Sequence, residues 1–216
     1  EEHMGRYPVV SLSLKGVKGS GFDDAYDKLA RTISNLAKGF SWLDGPELAE
    51  DDRDFLNVLV SYKYLRQPVN RGYAEGSLAF LCRLLRERFG DSRKPVLLVD
   101  EYDVPLQKAA IAGYYEPMSE LIGSMLGDVL KTNDDICKGI LTGCLRATKE
   151  GIFTGLNNLS VDTVLTQDES LSASIGFTPD EVRAMMDYYG LGSLYEKARS
   201  WYDGYSINGQ DLFCPW

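Results

Sequence analysis

Two spacings of apolar residues alternate along this chain, one of period two and one near the helical repeat. Val10, Leu12 and Leu14 alternate with Val9, Ser11 and Ser13, which predicts a half-buried strand over residues 8–14, ending at a glycine-rich stretch from Gly16 to Gly21. Residues 95–99 are continuously apolar and stop at Asp100-Glu101-Tyr102-Asp103, so they read as a central strand covered on both faces. Residues 137–143 and 161–165 are two further strand candidates. Between the strands the spacing changes. Ala25, Leu29, Ile33 and Leu36 form one stripe of a helix over 22–38, and Met118, Leu121, Ile122, Met125 and Val129 recur at threes and fours over 115–131. Further helices are predicted over 51–64 and over 73–89, the latter stopping at Gly90. Thr178-Pro179-Asp180-Glu181 reads as a cap, a proline at the first helical position and a capping-box glutamate. It opens a helix to about residue 189, followed by one over 193–202. No internal repeat interrupts this order. Strands alternating with helices predict an α/β domain with a mostly parallel sheet flanked by helices over residues 1–170, followed by a small helical C-terminal part or lid over 171–216.

Charge narrows the functions open to such a domain. Its 216 residues carry 23 basic and 32 acidic side chains, a net charge of −9 that repels phosphate backbones and argues against direct nucleic-acid binding by this segment. Arg83, Arg86 and Arg88 are either a local basic patch or an ordinary solvated helix face, and the second reading is the simpler. No apolar run reaches membrane-spanning length and the first residues contain no signal core, so the expectation is a cytoplasmic protein without a membrane partner. Cys82, Cys137, Cys144 and Cys214 lack paired spacing and are expected to be reduced, mostly buried thiols. The one histidine, His3, excludes a Ser-His-Asp triad and the usual zinc hydrolase site.

Two motifs have the residue types that phosphate chemistry needs, and a third has only the spacing. At the end of a buried parallel strand, Asp100 is placed to hold a magnesium ion, and Glu101 to orient and deprotonate an attacking water. The alternative is a strand that ends in acids because its turn reaches water. In Gly139-Ile140-Leu141-Thr142-Gly143-Cys144-Leu145-Arg146, Thr142 offers a hydroxyl at a strand end and Arg146 a guanidinium for phosphate charge; the alternative is an Arg146–Glu150 pair one turn apart. Gly16 and Gly21 have the separation of a phosphate loop, but Phe22 and Asp23 stand where lysine and a hydroxyl residue are required, so this stretch reads as a connector. Asn157 and Asn158, in Gly155-Leu156-Asn157-Asn158, are either loop residues or ligand contacts, and Trp201-Tyr202-Asp203-Gly204-Tyr205 reads as a helix end or ordered loop.

Taken in order, Tyr7-Pro8-Val9-Val10-Ser11-Leu12-Ser13-Leu14-Lys15, Leu98-Val99-Asp100-Glu101-Tyr102-Asp103-Val104-Pro105-Leu106, Leu141-Thr142-Gly143-Cys144-Leu145-Arg146, Gly155-Leu156-Asn157-Asn158, Gly176-Phe177-Thr178 and Trp201-Tyr202-Asp203-Gly204-Tyr205 resemble the AAA-ATPase-like family of P-loop NTPases, over nearly the whole chain. Members of that family often carry a PD-(D/E)xK nuclease-like domain downstream. The resemblance implies a Walker B pair in Asp100 and Glu101, with Asp100 at magnesium. It also implies a sensor-like Thr142, a basic position at Arg146, and ATP with Mg2+ as the bound species. Asn157 joins Asp100 as an expected nucleotide-side residue. The family's Phe-Gly-Lys-Ser/Thr phosphate loop lies upstream of the Tyr-Pro-Val strand and is absent from this sequence, as is that loop's own strand. The expectation is therefore Mg-dependent ATP binding and hydrolysis in the intact protein, weak or absent in this segment. The alternative is a non-catalytic interaction or regulatory module attached to a nuclease-like domain.

Overall fold

A computed structural model describes residues 4–131, 134–144, 160–163, 176–207 and 209–214. The chain divides into two compact units, Glu1–Leu159 and Ser160–Trp216.

The first unit is built on strands β1 (Val9–Ser13), β2 (Val96–Asp100) and β3 (Lys138–Leu141), all parallel, in the order β1-β2-β3. The register sets Val10 beside Leu97 and Gly139, and Leu12 beside Val99 and Leu141, so one face of the sheet is apolar in every row. That face joins the core, where Val10, Leu12, Leu97 and Val99 are buried. The core also holds the apolar stripes of α1 (Phe22–Lys38), α4 (Arg71–Phe89) and α6 (Tyr115–Leu130). On the other face Val9 and Ile140 remain 46% and 43% exposed. The fold is thus α/β, a parallel sheet flanked by helices, as the alternation of spacings predicts.

α1 spans the predicted residues, with Asp23 and Asp24 in its first turn and Lys38 in its last, each matched to the helix dipole. The helix expected over 51–64 is two: α2 (Glu50–Val60) and α3 (Tyr62–Leu65), separated by Ser61 at φ −94°, ψ 93°. The Ser34 hydroxyl donates to the Val60 carbonyl at 2.9 Å and so satisfies a group that a continuous helix would bond internally. α5 (Val104–Ala112) has no counterpart among the predicted elements, although Pro105 in its first turn and Gly113, left-handed at φ 81°, mark both ends. The strand expected over 161–165 does not form at residues 160–163, which are largely exposed; 164 and 165 lie outside the described residues.

The second unit contains α7 (Pro179–Tyr188), α8 (Tyr195–Tyr202) and an antiparallel pair, β4 (Asp203–Ile207) and β5 (Gln210–Phe213). Thr178 and Glu181 form the expected capping box. The sequence reading of 201–205 as a helix end or loop is only half right. Helix α8 ends at Tyr202 and the chain turns directly into β4, with Ile207, Leu212 and Phe213 buried.

Two side-chain expectations resolve differently. Arg83 pairs with Asp52 and Glu87, and Arg86 with Asp91 and Asp135, so they form an ion-paired helix face and not an anion-binding patch. All four cysteines are free as expected, but only Cys82 is buried. Cys137 and Cys144 are exposed because they flank the short edge strand β3, where apolar neighbours in sequence do not imply cover in space. Among the described residues, no helix is long and apolar enough to cross a membrane.

Candidate functional site

Parallel pairing brings the carboxyl ends of all three strands to one edge of the sheet, the edge where α/β proteins hold ligands. The register places Ser13, the last residue of β1, beside Asp100, the last of β2. The ladder runs on past the strands: Leu14 N–H donates to the Asp100 carbonyl at 2.9 Å, and Thr142 N–H to the Val99 carbonyl at 2.9 Å. Asp100 is therefore flanked by a hydroxyl from each neighbour. Thr142 Oγ1 donates to Oδ1 at 2.7 Å, and Ser13 Oγ to Oδ2 at 3.2 Å. Hydrogen bonds to the charged form favour it. Thr142 first, then Ser13, hold the Asp100 carboxyl below the usual carboxylate range, helped by the nearby Lys15 charge and the Glu101 amide. The group stays ionised, faces solvent, and has lone pairs left for a cation or its waters.

Glu101 is the next residue and the only non-glycine with positive φ among those described, at φ 52°. This left-handed turn swings its side chain away from the strand direction. Its Oε1 lies 4.0 Å from Lys15 Nζ, and its N–H reaches Thr142 Oγ1 at 3.4 Å. The turn is fastened to the exit of β3 by Tyr102 N–H donating to the Thr142 carbonyl at 3.1 Å. Next to it, buried Asp103 accepts from Cys144 N–H at 3.0 Å and from Gln107 Nε2 at 2.6 Å.

Of the residues expected to act, Asp100, Glu101 and Thr142 meet at this edge, whereas Arg146 and Asn157 lie outside the described residues. Ser13, Lys15 and Asp103 belong to the site without having been assigned to it from the sequence. The available signal was positional: the polar alternation of β1 ends on the row that Asp100 occupies.

At this edge the described residues supply one exposed carboxylate, Asp100, for a cation and no all-protein cage. No group of three or more potential ligands among His, Cys, Asp and Glu occurs in the described residues, and magnesium is commonly held by one or two carboxylates together with waters and substrate phosphates. A phosphate cradle is not supplied by the glycine-rich stretch after β1. Val17 and Lys18 amides bond back to Leu14 and Gly16 carbonyls. The Gly19 amide bonds to the Tyr114 hydroxyl, and the Ser20 amide to Asp24. These four amides are already engaged within the protein.

A family model described as "Predicted AAA-ATPase" matches residues 1–153. One curated relative, from Azotobacter chroococcum mcd 1 and titled "Uncharacterized protein in vnfD 5'region", is 30% identical over 156 residues, covering 65% of this chain and 29% of that protein. The chain thus spans under a third of that relative's length. No solved structure matches.

Proposed function

The chain belongs to the predicted AAA-ATPase family, and from that premise we propose that its sheet edge is the cation-holding and water-activating half of an ATP-hydrolysing site. The observation that carries this reading is the Asp100 carboxylate, ionised and gripped by Thr142 and Ser13, with Glu101 turned out beside it. Asp100 holds magnesium directly or through water. Glu101 orients a water and accepts its proton at the carboxylate, and Thr142 keeps Asp100 in place while offering its hydroxyl oxygen to that water. Bound magnesium supplies positive charge against the triphosphate. Arg146 and Asn157 belong to the same proposal as a phosphate-charge partner and a nucleotide-side contact.

The phosphate loop comes, in this proposal, from a segment of the whole protein outside these residues, since the amides after β1 are already engaged. β3 supports such an arrangement: among the described residues no strand lies beyond it, and Lys138 and Ile140 are exposed, a setting that normally calls for further strands or helices. ATP turnover by these residues alone is accordingly weak or absent. In the whole protein, turnover requires magnesium, and Asp100→Asn raises the magnesium concentration needed. An unchanged magnesium requirement in that variant would count against Asp100.

The engaged amides also favour a second reading, a non-catalytic module that regulates or docks a nuclease-like neighbour. It predicts no thermal shift of the whole protein with ATP and magnesium, and unchanged folding and binding after Asp100→Asn.

A further inference from the structure

Asp103 immediately precedes α5 as its N-cap, yet its side chain makes no capping hydrogen bond there. An aspartate in that position ordinarily accepts from an amide of its own first turn. Here the carboxylate instead reaches a residue 41 positions on: Oδ2 accepts from Cys144 N–H at 3.0 Å, just past the exit of β3, and from Gln107 Nε2 at 2.6 Å. Asp103 is 1% exposed, so a polar side chain has been taken out of water to make this tie. Gly143 shows how closely the two segments approach. A Cβ on it would fall 2.6 Å from Asp103 Oδ1 and 2.7 Å from the Tyr102 ring. The residue on the other side of Gly143 is Thr142, whose carbonyl accepts from Tyr102 N–H and whose hydroxyl holds Asp100.

We propose that Asp103 is the positioning residue of this edge: by fastening Cys144 to the acidic turn it fixes Thr142 on Asp100, and so sets the geometry in which Asp100 receives a cation. The proposal deepens the reading of Asp100 as the cation holder and rests on it. The fastening is the hydrogen bond from Cys144 N–H to the side-chain oxygen. Asparagine at 103 preserves that bond: with its carbonyl oxygen in the place of Oδ2 it accepts from both Cys144 N–H and Gln107 Nε2.

The test uses this chain, 15N-labelled, with Mn2+ as the probe. Asp103→Ala is expected to move the amide resonances of Glu101 and Thr142, neither of which bonds to Asp103. It should also weaken Mn2+ binding, read from paramagnetic broadening around Asp100, by about tenfold or more, the usual consequence of removing a residue that orients a metal ligand. Asp103→Asn restores both readouts. Two results would overturn the proposal: Asp103→Ala shifting only Cys144 and residues touching Asp103, or Asp103→Asn being as damaged as alanine. Absence of Mn2+ broadening in the unsubstituted chain would instead count against Asp100 as cation holder, and the amide shifts alone would then judge the clamp. Should Asp103→Ala fail to fold, Gly143→Ala takes its place. Its methyl group pushes the same two segments apart, so unmoved Glu101 and Thr142 resonances in that variant overturn the proposal equally.

Discussion

Glu101 offers the sharpest separation of stability from function. Its φ of 52° is one that glycine adopts freely and that costs other L-residues about 1–2 kcal/mol. Replacing it by glycine removes that cost but adds roughly 0.5–1 kcal/mol of unfolded-chain entropy. The side chain itself contributes little. Lys15 Nζ stands 4.0 Å away and is largely exposed, a pair of the kind that contributes close to nothing. The balance is a net stabilisation of roughly 0.5–1 kcal/mol for Glu101→Gly, whereas Glu101→Gln keeps the backbone cost and leaves stability unchanged. Equilibrium urea unfolding followed by far-ultraviolet circular dichroism, with a common slope, resolves the two variants; in thermal unfolding the gain is about 2 °C for a chain of this size. A glycine variant no more stable than the glutamine variant would show that the turn is not strained at this residue. The expected ordering would show that a glutamate is kept here at a cost to the fold, as functional positions are.

Other outcomes follow from single contacts. Because Thr142 is the larger cause of the depressed Asp100 pKa, Thr142→Val should raise the Asp100 carboxyl midpoint, read by carboxyl-carbon NMR, more than Ser13→Ala does. The sign for stability is that of a lowered carboxylate: Asp100's contribution is present above its ordinary value of 3.8 and is lost as pH falls through the lower folded value, so wild type and Asp100→Asn converge on acidification. Gly19→Ala would put a Cβ 2.5 Å from the Ala25 backbone nitrogen and should cost about 1–3 kcal/mol in urea unfolding; Gly21→Ala, with open space around it, should cost far less. Burial pushes the Cys82 thiol up to about 12, so iodoacetamide at neutral pH should label exposed Cys137 and Cys144 while sparing Cys82 until the protein unfolds.

Periodicity carried the architecture where an element's fate depended on its own residues. The apolar run ending at Asp100 and the stripe of α1 needed nothing from elsewhere. Where a distant residue intervenes, local pattern is silent: the break at Ser61 depends on Ser34, a helix away. The hairpin of β4 and β5 was missed because its aromatic and acidic residues resembled a loop, although the Asn208-Gly209 dipeptide is a hairpin signal. At the candidate site, the placement of Asp100, Glu101 and Thr142 at one edge was legible because each stands at, or one residue past, the end of an apolar strand. Ser13 and Lys15 were not, since their part depends on the register between β1 and β2, which no single segment encodes. Asp103 was not singled out, because its carboxylate is committed to Cys144, a residue 41 positions on that no local pattern links to it.

The most direct measurement is single-turnover ATP hydrolysis by the whole protein with and without Glu101→Gln, alongside equilibrium ATP binding. A general base at Glu101 predicts turnover lower by about 10²–10⁴-fold with nucleotide affinity retained. Equal turnover in the two proteins would contradict a water-activating role for this strand end.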